Sequence, residues 1–217
     1  MKTGASRRRG IGRRVGALLA LVCGLVLLAP ERAASPQVAR ESWTQSDMHV
    51  TVLMRALTYD HRLRREAKET LRVGVLFDAR DAPSVLASAA VLRLFEAQAD
   101  RMTFLRRRVV VIAIPLAADD ARLERALDLD LDALYLTPGM ARNDIVRVTT
   151  VTRRLDVISM AAAESYVFLG VSLAAVLKEG RPHILVNYPA GVEEGAEFST
   201  QLLQLAEVIG RKPGATP

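Results

Sequence analysis

Four short apolar runs punctuate the middle of this chain: Leu71 to Phe77 (LRVGVLF), Val109 to Ile114 (VVVIAI), Ala133 to Leu136, and Val157 to Ala161. The segments between them carry helical patterns. β-rich runs alternating with helix-length connections predict parallel strands, because parallel neighbours need a crossover of a dozen or more residues. Val50, Leu53, Met54 and Leu57 place a first helix over Ser46 to Tyr59. Pro83 starts another, in which Val85, Ala89 and Leu92 share a face; the proline stands near the first turn, where its missing N–H costs nothing. A short helix is expected from Asp119, and Thr137-Pro138-Gly139 turns the chain into a further one. VVVIAI is almost purely β-branched, the pattern of a strand covered on both faces.

After Ala161 the pattern changes. Val171 to Leu177 and His183 to Asn187 flank Lys178-Glu179-Gly180-Arg181-Pro182 and read as an antiparallel hairpin. Phe198, Leu202, Leu205, Ala206 and Ile209 fall on one helical stripe, so a closing helix is expected from Glu197 to Ile209. The fold class expected is therefore α/β: a three-layer, mostly parallel sheet flanked by helices, Rossmann-like without the dinucleotide motif. A C-terminal antiparallel hairpin and helix close it.

Charge divides the chain. Of 30 basic and 24 acidic side chains, seven and one respectively lie in the first 34 residues, which thus hold the whole net charge of +6. The remainder balances, so the basic pI offers no nucleic-acid-binding surface. Arg7, Arg8, Arg9, Arg13 and Arg14 precede an unbroken apolar run, Val15 to Ala29, the pattern of an export signal. The run is short for a permanent span, which takes about 20 apolar residues. Small residues are missing from the usual place before Ala33 or Ala34, so an uncleaved N-terminal anchor stays open; contact with a membrane is expected through that leader alone. The expected compartment is the periplasm. Cys23, the single cysteine, lies inside the apolar run, which leaves the exported part without a thiol. Residues 1–34 read as export signal or anchor, 35–45 as a flexible linker, 46–211 as one α/β domain, and 212–217 as a disordered tail.

Little in the chain suggests catalysis. His49, His61 and His183 are isolated, without the spacing of a metal pair. Asp128, Asp130 and Asp132 imitate the opening of a calcium loop. Ala133 stands where that loop needs glycine, and Gly139 where it needs glutamate. These acids are expected to frame the start of the third strand on a solvated face, and Arg106-Arg107-Arg108 the start of the second. No G-x-S-x-G elbow or G-x-G-x-x-G loop is present. No cofactor and no metal are expected. Open parallel sheets take ligands outside the carboxyl ends of their strands. That rule makes Asp78, Arg80, Asp81, Thr137, Gly139 and Glu164 the candidate ligand or partner rim, with Gly139 able to let an anion approach the backbone.

Leu134 to Thr137, the run Ile184-Leu185-Val186-Asn187, and Phe198-Ser199-Thr200-Gln201-Leu202-Leu203-Gln204-Leu205-Ala206 together resemble the YfiR-like family of bacterial periplasmic proteins, as does Arg72 to Leu76. The likeness spans roughly Val50 to Ile209, with Thr200 where a second serine is usual and without the paired cysteines of many relatives. The resemblance implies regulation: a non-enzymatic repressor that binds the sensor portion of an inner-membrane diguanylate cyclase or similar protein. A homodimer is a further expectation. The competing expectation is a periplasmic small-ligand sensing or binding module that uses the strand-end crevice.

Overall fold

The computed structural model describes residues 48–101 and 106–210. The expected leader, linker and tail lie outside the described residues. Two helices, α1 (48–57) and α2 (His61–Arg65), precede strand β1 (Thr70–Phe77). Alternation follows: α3 (Ala82–Arg101), β2 (Arg108–Pro115), α4 (Asp120–Leu127), β3 (Ala133–Leu136), α5 (Arg142–Arg154), β4 (Ile158–Ala161), α6 (Glu164–Val167) and β5 (Leu173–Lys178). The last elements are β6 (Arg181–Asn187), α7 (Tyr188–Glu193), α8 (Thr200–Leu205) and β7 (Glu207–Ile209).

The strands build one seven-stranded sheet in the order β2-β1-β3-β4-β5-β6-β7. β1 to β5 are mutually parallel, β6 runs antiparallel to β5, and β7 is parallel to β6. The expected α/β class, a mostly parallel sheet with a C-terminal antiparallel pair and flanking helices, is the one adopted. From β1 the chain winds outward to β2, then returns past β1 to β3, so the direction of winding reverses between β1 and β3.

Strand alternation sorts the core into two layers. Val73, Val75, Tyr135, Met160 and Ala175 face α1, Phe95 of α3 and Leu202 of α8. Leu76, Leu134, Leu136 and Ala161 face Leu123 and Leu127 of α4 and Ile145, Val148 and Val151 of α5. Phe95 meets Tyr135 edge-on, with ring centroids 5.8 Å apart. Gly74 has no alternative: a Cβ there would lie 2.7 Å from Leu134 Cδ1 and 2.9 Å from Ile114 Cδ1.

Several expectations need correction. The cover expected on both faces of VVVIAI is only partial. β2 is an edge strand paired only with β1, its residues Val110 to Ile112 are half-buried, and Ala113 is exposed. Helices cover parts of both faces of β2, and that is enough to favour apolar residues on both. The buried face of α3 is Ser84, Ser88, Val91, Phe95 and Gln98, while Val85 and Ala89 are exposed. An Ala- and Ser-rich helix offers little apolar contrast, and hydrogen bonds of Ser84 set its rotation. The hairpin turn is only Glu179-Gly180, both at positive φ (53° and 74°), so Arg181 and Pro182 belong to β6. Pro182 is tolerated because β7 pairs only with Leu185 to Asn187, leaving that end of β6 at an edge.

The closing helix is also shorter than its stripe. Ser199 caps α8 by accepting from the Leu202 N–H at 3.3 Å, and the helix ends at Leu205, which is 64% exposed. Glu207 to Ile209 leave it to pair with the free edge of β6. Two charged groups expected on solvated faces are buried instead. Asp132 accepts from the Arg72 N–H at 2.7 Å and from Lys68 Nζ at 3.1 Å. The Arg107 guanidinium donates to the carbonyls of Leu63 and Glu66. In each case an orphan backbone group near the end of an element supplies the partner.

Candidate functional site

The winding reversal brings the loop after β1 against the loop after β3. Ser84 and Thr137, both fully buried, share a hydroxyl contact of 2.8 Å beneath this junction. The Asp78 N–H donates to Ser84 Oγ at 3.0 Å, and the Thr137 N–H to the Leu76 carbonyl at 3.1 Å. Asp81 caps the first turn of α3, accepting from the Ser84 N–H at 2.9 Å. Gly139 takes a left-handed conformation (φ 89°), and a Cβ built there would lie 3.1 Å from Asp81 Oδ2. The anion close to Gly139 is thus a side chain of the chain itself.

Above the hydroxyl pair runs a row of ions. Asp78 accepts from Arg80 three times: from the N–H at 2.9 Å, Nε at 2.9 Å and Nη2 at 3.0 Å. These bonds hold its carboxyl below the ordinary carboxylate range. Arg80 also approaches Asp144 at 3.8 Å. Asp144 accepts from Arg147 at 2.7 Å, and Arg147 reaches on to Asp120 at 2.8 Å and the Ala117 carbonyl at 3.2 Å. Four acids (Asp78, Asp81, Asp120, Asp144) stand against two arginines. The rim therefore carries net negative charge, a poor field for an anionic ligand.

Five of the six expected rim residues are brought together here: Asp78, Arg80, Asp81, Thr137 and Gly139. Glu164 is not among them. It opens α6 and pairs with Lys178 at 3.2 Å, a lysine that also holds Glu207 at 2.7 Å. Tyr166, two residues on, does join the rim: its hydroxyl accepts from the Met140 N–H at 2.9 Å and donates to the Thr137 carbonyl at 3.2 Å. Burial raises its pKa, so the phenol stays protonated for that bond. The sequence reading missed Ser84, Asp144, Arg147 and Tyr166. The spacing Asp81-x-x-Ser84 at a helix start and the i,i+3 pair Asp144/Arg147 were available signals.

A second polar cluster, at the amino ends of the strands, had no visible sequence signal. Glu194, fully buried after α7, accepts from the Ser159 N–H at 2.8 Å, from the Thr152 hydroxyl at 2.6 Å and from the Ser172 hydroxyl. No cation stands against it among the described residues, and burial pushes its pKa above the ordinary value. The Thr152 hydroxyl has one proton but two acceptors in reach, Glu194 Oε1 and the Thr149 carbonyl at 3.1 Å. The same end of the sheet has a shallow cleft of ≈ 330 Å³ lined by Arg62, Lys68, Asp128, Asp130 and Asp156. Lys68 pairs with Asp130 at 3.0 Å, and Arg62 donates to the Asp156 carbonyl at 2.7 Å while its Nε and Nη2 are buried without a partner.

Among the described residues no cluster of three His, Cys, Asp or Glu side chains is arranged to hold a metal ion. His49 is half-buried, and burial lowers its pKa; His61 and His183 are exposed. No helix of the described residues is long and apolar enough to cross a membrane.

No known protein family and no curated protein matches the chain. Solved structures do. One is a conserved domain protein from Vibrio cholerae O1 biovar El Tor, with a TM-score of 0.50 at 15% identity over 75% of this chain and 59% of that one. Another is an ABC domain in complex with L-Trp from Streptococcus pneumonia, with a TM-score of 0.52 at 12% identity over 76% of this chain and 60% of that one. The chain thus spans about three fifths of the length of these structures. At such identities the likeness is one of α/β fold.

Proposed function

We propose that this chain is a non-enzymatic periplasmic regulator that acts by protein–protein contact and represses an inner-membrane diguanylate cyclase or a similar sensor. The observation that carries this reading is that backbone donors at the winding reversal are already taken by the chain's own side chains. Small ligands of doubly wound sheets bind at that point, against free N–H groups at strand and helix ends. In this chain Ser84 takes the Asp78 N–H, Asp81 takes the Ser84 N–H, and Tyr166 takes the Met140 N–H. What remains outward is a surface: Arg80 with a side chain 72% exposed, Asp120 at 68%, and the exposed Leu86 and Val146 in the second turns of α3 and α5. Charged groups beside exposed apolar ones suit a protein partner better than a small anion. The resemblance in Phe198 to Ala206 and Ile184 to Asn187 supports the same reading and supplies the class of partner.

Small-ligand sensing is the second reading, favoured by the shared fold of the L-Trp complex. One experiment separates the two. The tagged full chain is captured from solubilised inner membrane and its companions identified by mass spectrometry. Recovery of a diguanylate cyclase with a periplasmic sensor portion, reduced by Arg80→Glu and Leu86→Asp, is the expected result. Recovery of the chain alone with a retained small molecule in its native mass spectrum transfers the assignment to ligand sensing.

A further inference from the structure

We draw no further inference here: the strongest candidate, the shallow cleft at the amino ends of the strands beside Arg62, offers a ligand only a cluster of acidic residues, because Lys68 is already paired with Asp130 and the unpartnered Nε and Nη2 of Arg62 are buried out of a ligand's reach.

Discussion

The two ends of the sheet are fastened by opposite means. At the carboxyl ends, Asp78, Arg80, Asp144, Arg147 and Asp120 form an alternating row in contact with solvent, and Asp78 stays ionised because Arg80 binds it. At the amino ends, a single acid without a counter-ion is sealed among Thr152, Ser159 and Ser172, and burial favours its protonated form. The outer members of the row, Arg80 and Asp120, are exposed, and such ions lose little when a partner replaces water or another ion. A buried network loses the full desolvation of every group left unpaired. The rim is thus suited to exchange contacts, and the Glu194 cluster to hold α5, α7, β4 and β5 in one arrangement.

The largest expected effect breaks the buried end. Glu194→Ala strips an acceptor from the Ser159 N–H and from two hydroxyls in a dry site, for a loss of about 3–5 kcal/mol in chemical denaturation. Glu194→Gln keeps the shape and costs far less, and its value lies in pH dependence. A carboxyl whose folded pKa exceeds its ordinary 4.5 binds a proton in the native state after the unfolded chain has lost one. Its contribution is therefore full below pH 4.5 and is lost as pH rises through the folded value, a decline that Glu194→Gln abolishes. The rim has the other sign. Asp78, lowered from 3.8, contributes fully above that value and loses its contribution as pH falls through the folded one. Stability profiles of Glu194→Gln and Asp78→Asn, each subtracted from the parent, should slope in opposite directions; parallel slopes would refute the contrast.

Smaller changes sharpen it. Ser84→Ala leaves the Asp78 N–H without its acceptor beneath the rim and should cost about 1–2 kcal/mol in a thermal melt. Thr137→Val, which removes one member of the hydroxyl pair, should cost about 1 kcal/mol. Arg80→Ala should leave the melting temperature unchanged, while the Asp78 carboxyl, followed by carbon NMR, titrates upward toward its ordinary value. A destabilised Arg80→Ala protein would mean that the ion row carries the fold.

The central strands were legible because their signal and their position agree. Ala133 to Leu136 is β3 residue for residue, and Leu71 to Phe77 lacks only Thr70. Errors arose where one pattern serves two structures. VVVIAI reads as a strand covered on both faces, and partial cover from helices on both faces of an edge strand selects the same residues. Phe198, Leu202, Leu205, Ala206 and Ile209 satisfy a helical stripe, yet the bare edge of β6 draws the last three residues of that span into β7. For the rim, the strand-end rule found Asp78 to Asp81 and Thr137 to Gly139 but placed Glu164 with them. Which loops meet depends on where the winding reverses, and strand order is not written in any local pattern. Glu194 was invisible for a related reason. Its partners Thr152, Ser159 and Ser172 lie on three other elements, and only the assembled sheet brings them to it.

Reconstitution of repression addresses the regulatory reading most directly. A diguanylate cyclase, if recovered in the capture experiment, is placed in vesicles with its sensor portion outward, and cyclic-di-GMP production is followed as the full chain is added. Production that falls saturably with added chain, and falls less with Arg80→Glu, is the predicted result. Production that stays constant at saturating chain would contradict the account.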